Sequence, residues 1–290
     1  MSDGRRAALS SSRAHPGGGR TAAGGEPVLA AGPHQARKRF GQNFLHDAGV
    51  IARIVDAIDP RLGEAIVEIG PGQGALTGAL IDRANHIRAI EIDRDLAARL
   101  HVRFSAAQLT LIEADALKVD WDAIASTPLR IVGNLPYNIS TPLLFALVPI
   151  AGRVIDQHFM LQKEVVDRIV AAPGSKTYGR LSVMLQFRYR LTKLFDVASG
   201  AFKPAPKVTS SVVRMQPRAT GELFDVDMEV FACVVAAAFG QRRKTLRNAL
   251  STLLNTDQIV ASGVDPQARA ETLRVQSFVE LARQATAKTL

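Results

Sequence analysis

From about Ala65 the chain alternates short apolar runs with roughly ten-residue segments of helical spacing, and the first apolar run ends in a cluster of glycines. No other feature restricts the fold as much. Ala65-Ile-Val-Glu-Ile69 reads as a strand, Ala75 to Arg83 as a helix, Ile87 to Ile92 as a strand and Leu96 to Arg103 as a helix. Leu109 to Ile112 and Leu129 to Val132 continue as strands, and another strand runs through His158-Phe-Met-Leu161. Between them Thr141-Pro142 opens a helix, with proline in a first turn where no amide donor is needed. Such alternation predicts an α/β fold built on a parallel, doubly wound sheet. After about Pro217 the pattern changes: Val226 to Arg243, Thr245 to Leu254, Thr256 to Ser262 and Gln267 to Ala287 have helical spacing and no strands. We therefore expect an α/β domain over residues 35–217 and a small α-helical domain over 218–290.

Residues 1–34 are rich in Gly, Ala, Ser and Arg without apolar periodicity, so a disordered basic tail is expected there. The tail lacks the apolar core of a secretory signal. Its arginines are reminiscent of an organelle transit peptide, but its glycines break any amphipathic helix. The longest apolar stretches run to about ten residues, short of the ~20 that span a bilayer. One cysteine, Cys233, excludes a disulfide framework and a cysteine-cluster metal site, and it points to a reducing compartment, the cytoplasm. Set in the apolar run Val230 to Phe239, it reads as a buried structural thiol. The six histidines show no metal-ligand spacing, and His86 and His101 read as surface or packing residues. No metal is expected. Lys plus Arg exceed Asp plus Glu by 36 to 27, a net charge of +9 concentrated toward the two ends, which favours a polyanionic partner, nucleic acid foremost.

In Val67-Glu-Ile-Gly70-Pro-Gly72-Gln-Gly74, glycines at a strand-to-helix turn let the backbone approach a ligand and aim helix N-terminal amides at it. Glu91 and Asp93 close the next strand, at the spacing where a carboxylate accepts hydrogen bonds from ribose hydroxyls. Asp115, after the third strand, reaches the same crevice, where it can accept from an adenine amino group. Gly70-x-Gly72-x-x-Ala75 also satisfies a dinucleotide fingerprint, so this turn alone does not separate NAD from other adenosine cofactors. Two features lean away from NAD. Glu68 repels a pyrophosphate and suits a cationic ligand, and no second dinucleotide-binding half follows.

Gly133-Asn-Leu-Pro-Tyr137-Asn-Ile-Ser-Thr-Pro142 lies at the end of the fourth strand, where open α/β sheets present their chemistry. The exocyclic amine of adenine is a poor nucleophile because its lone pair is delocalised into the ring. If the Asn134 side-chain oxygen and the Leu135 carbonyl accept its two N–H bonds, the nitrogen is drawn toward tetrahedral geometry, while Pro136 shapes the turn and Tyr137 stacks on the base. Orientation and placed acceptors then carry the catalysis.

With these segments in view, residues 35–290 resemble the KsgA-type rRNA adenine dimethyltransferases, Rossmann-like class I S-adenosylmethionine-dependent enzymes. The resemblance is carried by Phe40-Gly-Gln-Asn-Phe-Leu45, Val67-Glu-Ile-Gly-Pro-Gly72, Glu91-Ile-Asp93, Asp115-Ala-Leu117, Asn134-Leu-Pro-Tyr137, Phe159-Met-Leu-Gln-Lys-Glu164, Phe202-Lys-Pro-Ala-Pro-Lys-Val208 and Phe239-Gly-Gln-Arg-Arg-Lys-Thr-Leu-Arg-Asn248. It implies that Asn43 and Leu45 contact the methionine part of S-adenosylmethionine or cover it, that Gly70 lies beneath it, and that Glu91 binds its ribose and Asp115 its adenine. It further implies that Asn134 touches cofactor and target amine, and that Phe202 joins Tyr137 in sandwiching a flipped adenine. Phe202 precedes a Pro-x-Pro loop, which suits a rigidly held, exposed aromatic. The implied substrate is two adjacent adenosines in the 3′-terminal hairpin loop of 16S rRNA within an immature 30S subunit, dimethylated by a monomer.

Arg242, Arg243, Lys244 and Arg247 occupy a helix boundary, with 243 and 247 four apart on one face, a cluster suited to RNA phosphates. Two rival readings stay open. One is a macrolide-resistance methyltransferase acting on the large subunit; the other is a ribosome-assembly or transcription factor that keeps the fold for nucleic-acid contact alone.

Overall fold

The computed structural model describes residues 42–125, 128–222, 224–241 and 243–286. The expected tail at 1–34, and with it Phe40 and Arg242, lies outside the described residues. Strand β1 (Phe44–Leu45) leads into helix α1 (Ala48–Ile58), which Asp47 caps by accepting from the Val50 N–H at 2.9 Å. Strands and helices then alternate: β2 (Ile66–Ile69), α2 (Ala75–Ala84), β3 (Ile87–Glu91), α3 (Arg94–Arg103), β4 (Leu109–Glu113), α4 (Trp121–Ile124), β5 (Leu129–Asn134), α5 (Ser140–Ala146) and β6 (Val154–Gln162). Helices α6 (Lys163–Ile169) and α7 (Arg180–Arg188) precede β7 (Tyr189–Val197), β8 (Phe202–Lys203) and β9 (Ser210–Pro217).

Seven strands form one sheet in the order β4-β3-β2-β5-β6-β9-β7, while β1 and β8 pair as a separate two-stranded ladder. From β4 through β6 every pairing is parallel, as expected. The sheet is not wholly parallel: β9 runs antiparallel to both β6 and β7. A single 3-10 turn (Ser199–Ala201) and β8 join β7 to β9, a connection without the long helical crossover that parallel neighbours need. Strand β7 ends the sheet and carries Arg190, Lys193 and Asp196, charges that keep an edge from recruiting further strands.

Helices cover both faces. One core packs Ile54, Val55 and Ile58 of α1 and Leu80 of α2 on Ile66, Ile87 and Val132. The opposite face joins α4, α5, α6 and α7 to Val67, Ile131 and Phe159. Buried on both faces, the central strands read as apolar runs without alternation. A third core gathers the helices α8 (Met228–Gly240), α9 (Leu246–Ala249), α10 (Thr256–Ala261) and α11 (Val275–Thr286) with Val183 and Phe187 of α7.

Two sequence expectations for the C-terminal helices need correction. Cys233 is exposed, not buried. Phe231, Val234, Val235 and Ala238 form the buried stripe of α8, and a residue two positions after Phe231 falls on the far side of the helix. Arg243 and Arg247 do not share one helix: α8 ends at Gly240, and extended backbone at Thr245 separates Arg243 and Lys244 from α9. His86 bonds Thr110 at 3.0 Å and His101 lies 3.9 Å from Glu113, both on the surface as expected.

Candidate active site

The strand order reverses between β2 and β5, so their carboxyl ends frame the crevice where open α/β sheets bind ligands. The two strands approach closely there. A Cβ on Gly133 of β5 would lie 2.5 Å from the Ile69 carbonyl oxygen, so only glycine lets the strands come together here. Beyond Ile69, Gly70 and Gly72 both adopt positive φ (68° and 58°), which turns the backbone under the cavity before α2 begins. Phe44 lies over this turn, its ring 3.1 Å from where a Gly72 Cβ would stand.

The resulting cavity encloses about 290 Å³. Asn43, Leu45, Gly70, Glu91, Asp115, Asn134, Leu135, Pro136 and Tyr137 all line it, so of the expected site residues the structure leaves out two, Asp93 and Phe202. Asp93 serves as the N-cap of α3 instead. The larger departure is Phe202. Its ring is 3% exposed and packs with Leu45 and Val212 in the core, and it does not line the cavity. Pairing with Leu45 across the β1–β8 ladder turns it inward, which the neighbouring prolines do not reveal.

Among the described residues, the charged groups of the wall are acidic. Glu91 is tied by two backbone amides, accepting from Gly72 N–H at 3.2 Å and Asp93 N–H at 2.9 Å. Burial pushes its pKa up, against the opposing effect of those amides. Asp93 caps α3 by accepting from Asp95 N–H at 3.1 Å, and it also accepts from the Gln42 side-chain amide at 3.0 Å. Asp115 accepts from Leu117 N–H at 3.0 Å. Glu68, from the middle of β2, is 2% exposed and accepts from the Thr77 hydroxyl at 2.6 Å. Burial raises its pKa to about 7. Among the described residues the lining holds three carboxylates, Glu68, Glu91 and Asp115, and no lysine, arginine or histidine.

At the other end, Asn134 donates its side-chain N–H to the Asn43 carbonyl at 3.0 Å. That bond fixes the amide's orientation and leaves the side-chain oxygen as the acceptor available to a ligand. Leu135 packs its side chain into the core, so the polar group it contributes is its peptide. Tyr137, half-buried, shares a 2.8 Å hydrogen bond with the hydroxyl of Ser210, a wholly buried residue at the start of β9. The Ser140 hydroxyl donates to the Tyr137 carbonyl at 3.1 Å.

Sequence reasoning overlooked Ser210, Thr77 and Gln42. Glu68 and Thr77 are nine residues apart across the glycine turn, a spacing that offered a signal; Ser210 lies 73 residues from Tyr137 and offered none. Replacing Ser210 by Ala is expected to release the Tyr137 ring and lower kcat about fivefold, the effect of one ordinary hydrogen bond. In a cycle with Tyr137→Phe, the double variant should lose no more than the worse single one; additive losses would separate the two residues.

A sheet of this order, with a cavity at its switch point whose charged lining among the described residues is acidic, defines a class I Rossmann-like methyltransferase. Solved structures agree on the architecture. The 23S rRNA methyltransferase ErmE superposes with a TM-score of 0.67 and 26% identity over 84% of this chain and all of that one. A dimethyladenosine transferase from Plasmodium falciparum shares the fold with a TM-score of 0.71 and 23% identity over 85% of this chain and 98% of its own. The ribosomal RNA small subunit methyltransferase A of Aromatoleum aromaticum is 57% identical over 256 residues, 88% of this chain and 96% of that protein. Its counterpart in Acinetobacter baylyi is 54% identical over 254 residues, covering 87% and 93%. Residues 33–287 match the ribosomal RNA adenine dimethylase family. The chain belongs to that family, as its motifs anticipate.

Proposed function

We propose that the protein uses S-adenosylmethionine to dimethylate the exocyclic amines of two adjacent adenosines in the 3′-terminal hairpin loop of 16S rRNA, acting as a monomer on immature 30S subunits in the cytoplasm. One observation carries this reading: Asn134, its amide orientation fixed by Asn43, borders a cavity that, among the described residues, is lined by three carboxylates and no cationic side chain. Such a wall repels a pyrophosphate, which disfavours NAD, and it fits a cationic ligand that also carries ribose hydroxyls and an adenine amine. Glu68 faces the cation, Glu91 the ribose and Asp115 the adenine, while Gly70 admits the ligand close to the backbone and Asn43 and Leu45 cover it. When bound, S-adenosylmethionine supplies an electrophilic methyl on a positively charged sulfur.

The chain's own groups hold the amine. The Asn134 side-chain oxygen and the Leu135 carbonyl accept its N–H bonds, which localises the lone pair on nitrogen. Pro136 sets the turn that presents both acceptors. Tyr137, tethered by Ser210, offers its ring to the base. A base extruded from a loop costs less than one drawn from a duplex. A role for Phe202 opposite Tyr137 requires its ring to leave the core, at a cost of about 1.5–3 kcal/mol of lost burial.

We assign the grip on rRNA partly to a helical domain at 218–290. Arg243, Lys244 and Arg247 are exposed there and form no ion pair among the described residues. The test is transfer of labelled methyl from S-adenosylmethionine to undermethylated 30S subunits and, separately, to 50S subunits. Labelling of 30S alone is expected. Labelling of 50S alone moves the assignment to the large subunit; labelling of neither, with cofactor binding absent, moves it to an assembly factor.

A further inference from the structure

The segment 203–209 joins β8 to β9, and each of its ends is linked to a residue that lines the cavity. At one end Lys203 pairs in register with Phe44, whose ring lies over the glycine turn. At the other, Thr209 accepts from the Lys163 N–H at 2.9 Å, and the next residue, Ser210, holds Tyr137. Between these anchors only Pro206 is buried, and the segment Lys203-Pro-Ala-Pro-Lys-Val-Thr209 contains no acidic residue. Lys203 and Lys207 are exposed and form no ion pair among the described residues. The nearby lysines behave otherwise. Lys163 is paired with Asp167, and Lys193 with Asp167 at 3.0 Å and Asp196 at 2.8 Å. These two are neutralised by carboxylates, while the two lysines of the loop form no ion pair among the described residues.

The cavity wall imposes a complementary demand. Its carboxylates repel phosphate, so a nucleotide can insert its base only while its backbone stays outside, at the rim. Two unpaired ammonium groups on a loop stiffened by prolines at 204 and 206 meet that backbone with little ordering cost. Resting on the reading given above, we infer that Lys203 and Lys207 hold the phosphodiesters flanking the adenosine delivered to Asn134.

The test is binding of the full-length Lys203→Glu/Lys207→Glu variant to undermethylated 30S subunits across a series of KCl concentrations. Affinity near 0.1 M salt is expected to fall on the order of 10- to 100-fold, and the slope of log K against log [salt] to lessen by about 1 to 1.5, the contribution of two single-strand phosphate contacts. Melting temperature and S-adenosylmethionine affinity should match the wild type. Lys203→Ala/Lys207→Ala is the milder check should the charge reversal disturb folding, with the same slope change expected. Wild-type affinity and slope in both variants, while the wild type methylates 30S subunits, overturn the inference and leave the proposed function standing. If the wild type transfers no methyl to RNA, the proposed function fails and the inference with it.

Discussion

Asn134→Ala is expected to lower methyl transfer on the order of 10²- to 10³-fold, the usual consequence of removing one placed polar group from a reacting centre. Affinity for 30S subunits should hardly change, because the phosphate contacts proposed above fall elsewhere, on Lys203, Lys207, Arg243, Lys244 and Arg247. The geometry explains why one side chain matters this much. Asn134 stands where β5 ends, its amide N–H committed to the Asn43 carbonyl at 3.0 Å, so its oxygen is held in place before substrate arrives. Asn134→Asp retains an acceptor but loses the donor to Asn43, and its activity should fall between wild type and the alanine variant. Single-turnover rates with saturating subunits separate chemistry from binding. Equal losses of rate and affinity in Asn134→Ala would contradict the assigned role.

The second large effect concerns pH. Glu68 is buried in β2 with a pKa raised from 4.5 to about 7, so over that interval the folded protein keeps a proton that the unfolded chain releases. Stability therefore falls as pH rises from 4.5 toward 7, by up to about 3 kcal/mol from this residue at ~1.4 kcal/mol per pH unit. Glu91, also raised by burial, adds to the same trend. Glu68→Gln removes the Glu68 part. In urea titrations of the ligand-free protein it should match the wild type near pH 4.5 and exceed its stability by up to about 3 kcal/mol near pH 7.5. The same difference at both pH values would show that Glu68 does not titrate in this range. Because a cationic ligand favours the ionised form, S-adenosylmethionine binding near pH 6 should release more protons from the wild type than from Glu68→Gln, read as a buffer-dependent binding enthalpy.

The parts of this fold that were legible in the sequence share a physical cause. Strands β2, β3 and β5 are covered on both faces, so Ile66-Val67, Ile87 and Ile131-Val132 stand out as apolar runs ending where loops begin. The glycines at 70 and 72 and the Asn-Leu-Pro-Tyr segment mark those strand ends, which is why the cavity lining was readable. Strand β7 was not. Its Arg190, Lys193 and Asp196 belong to an exposed edge and interrupt any apolar run. Pairings across long separations were equally silent: Asn43 meets Asn134 over 91 residues. Phe202 and Cys233 were misjudged for opposite reasons. A loop composition that suits an exposed aromatic does not disclose a ladder pairing that turns it inward, and an apolar helix does not disclose which of its stripes lacks a partner.

On the proposed reading, one cavity methylates one kind of nitrogen twice. Digesting the RNA of 30S subunits to nucleosides after reaction with the protein and S-adenosylmethionine, and separating the products by mass, tests it most directly. N6,N6-dimethyladenosine, absent from the starting particles and confined to the 3′-terminal hairpin, is the expected product. Methyl groups on another base, or on ribose, would contradict it.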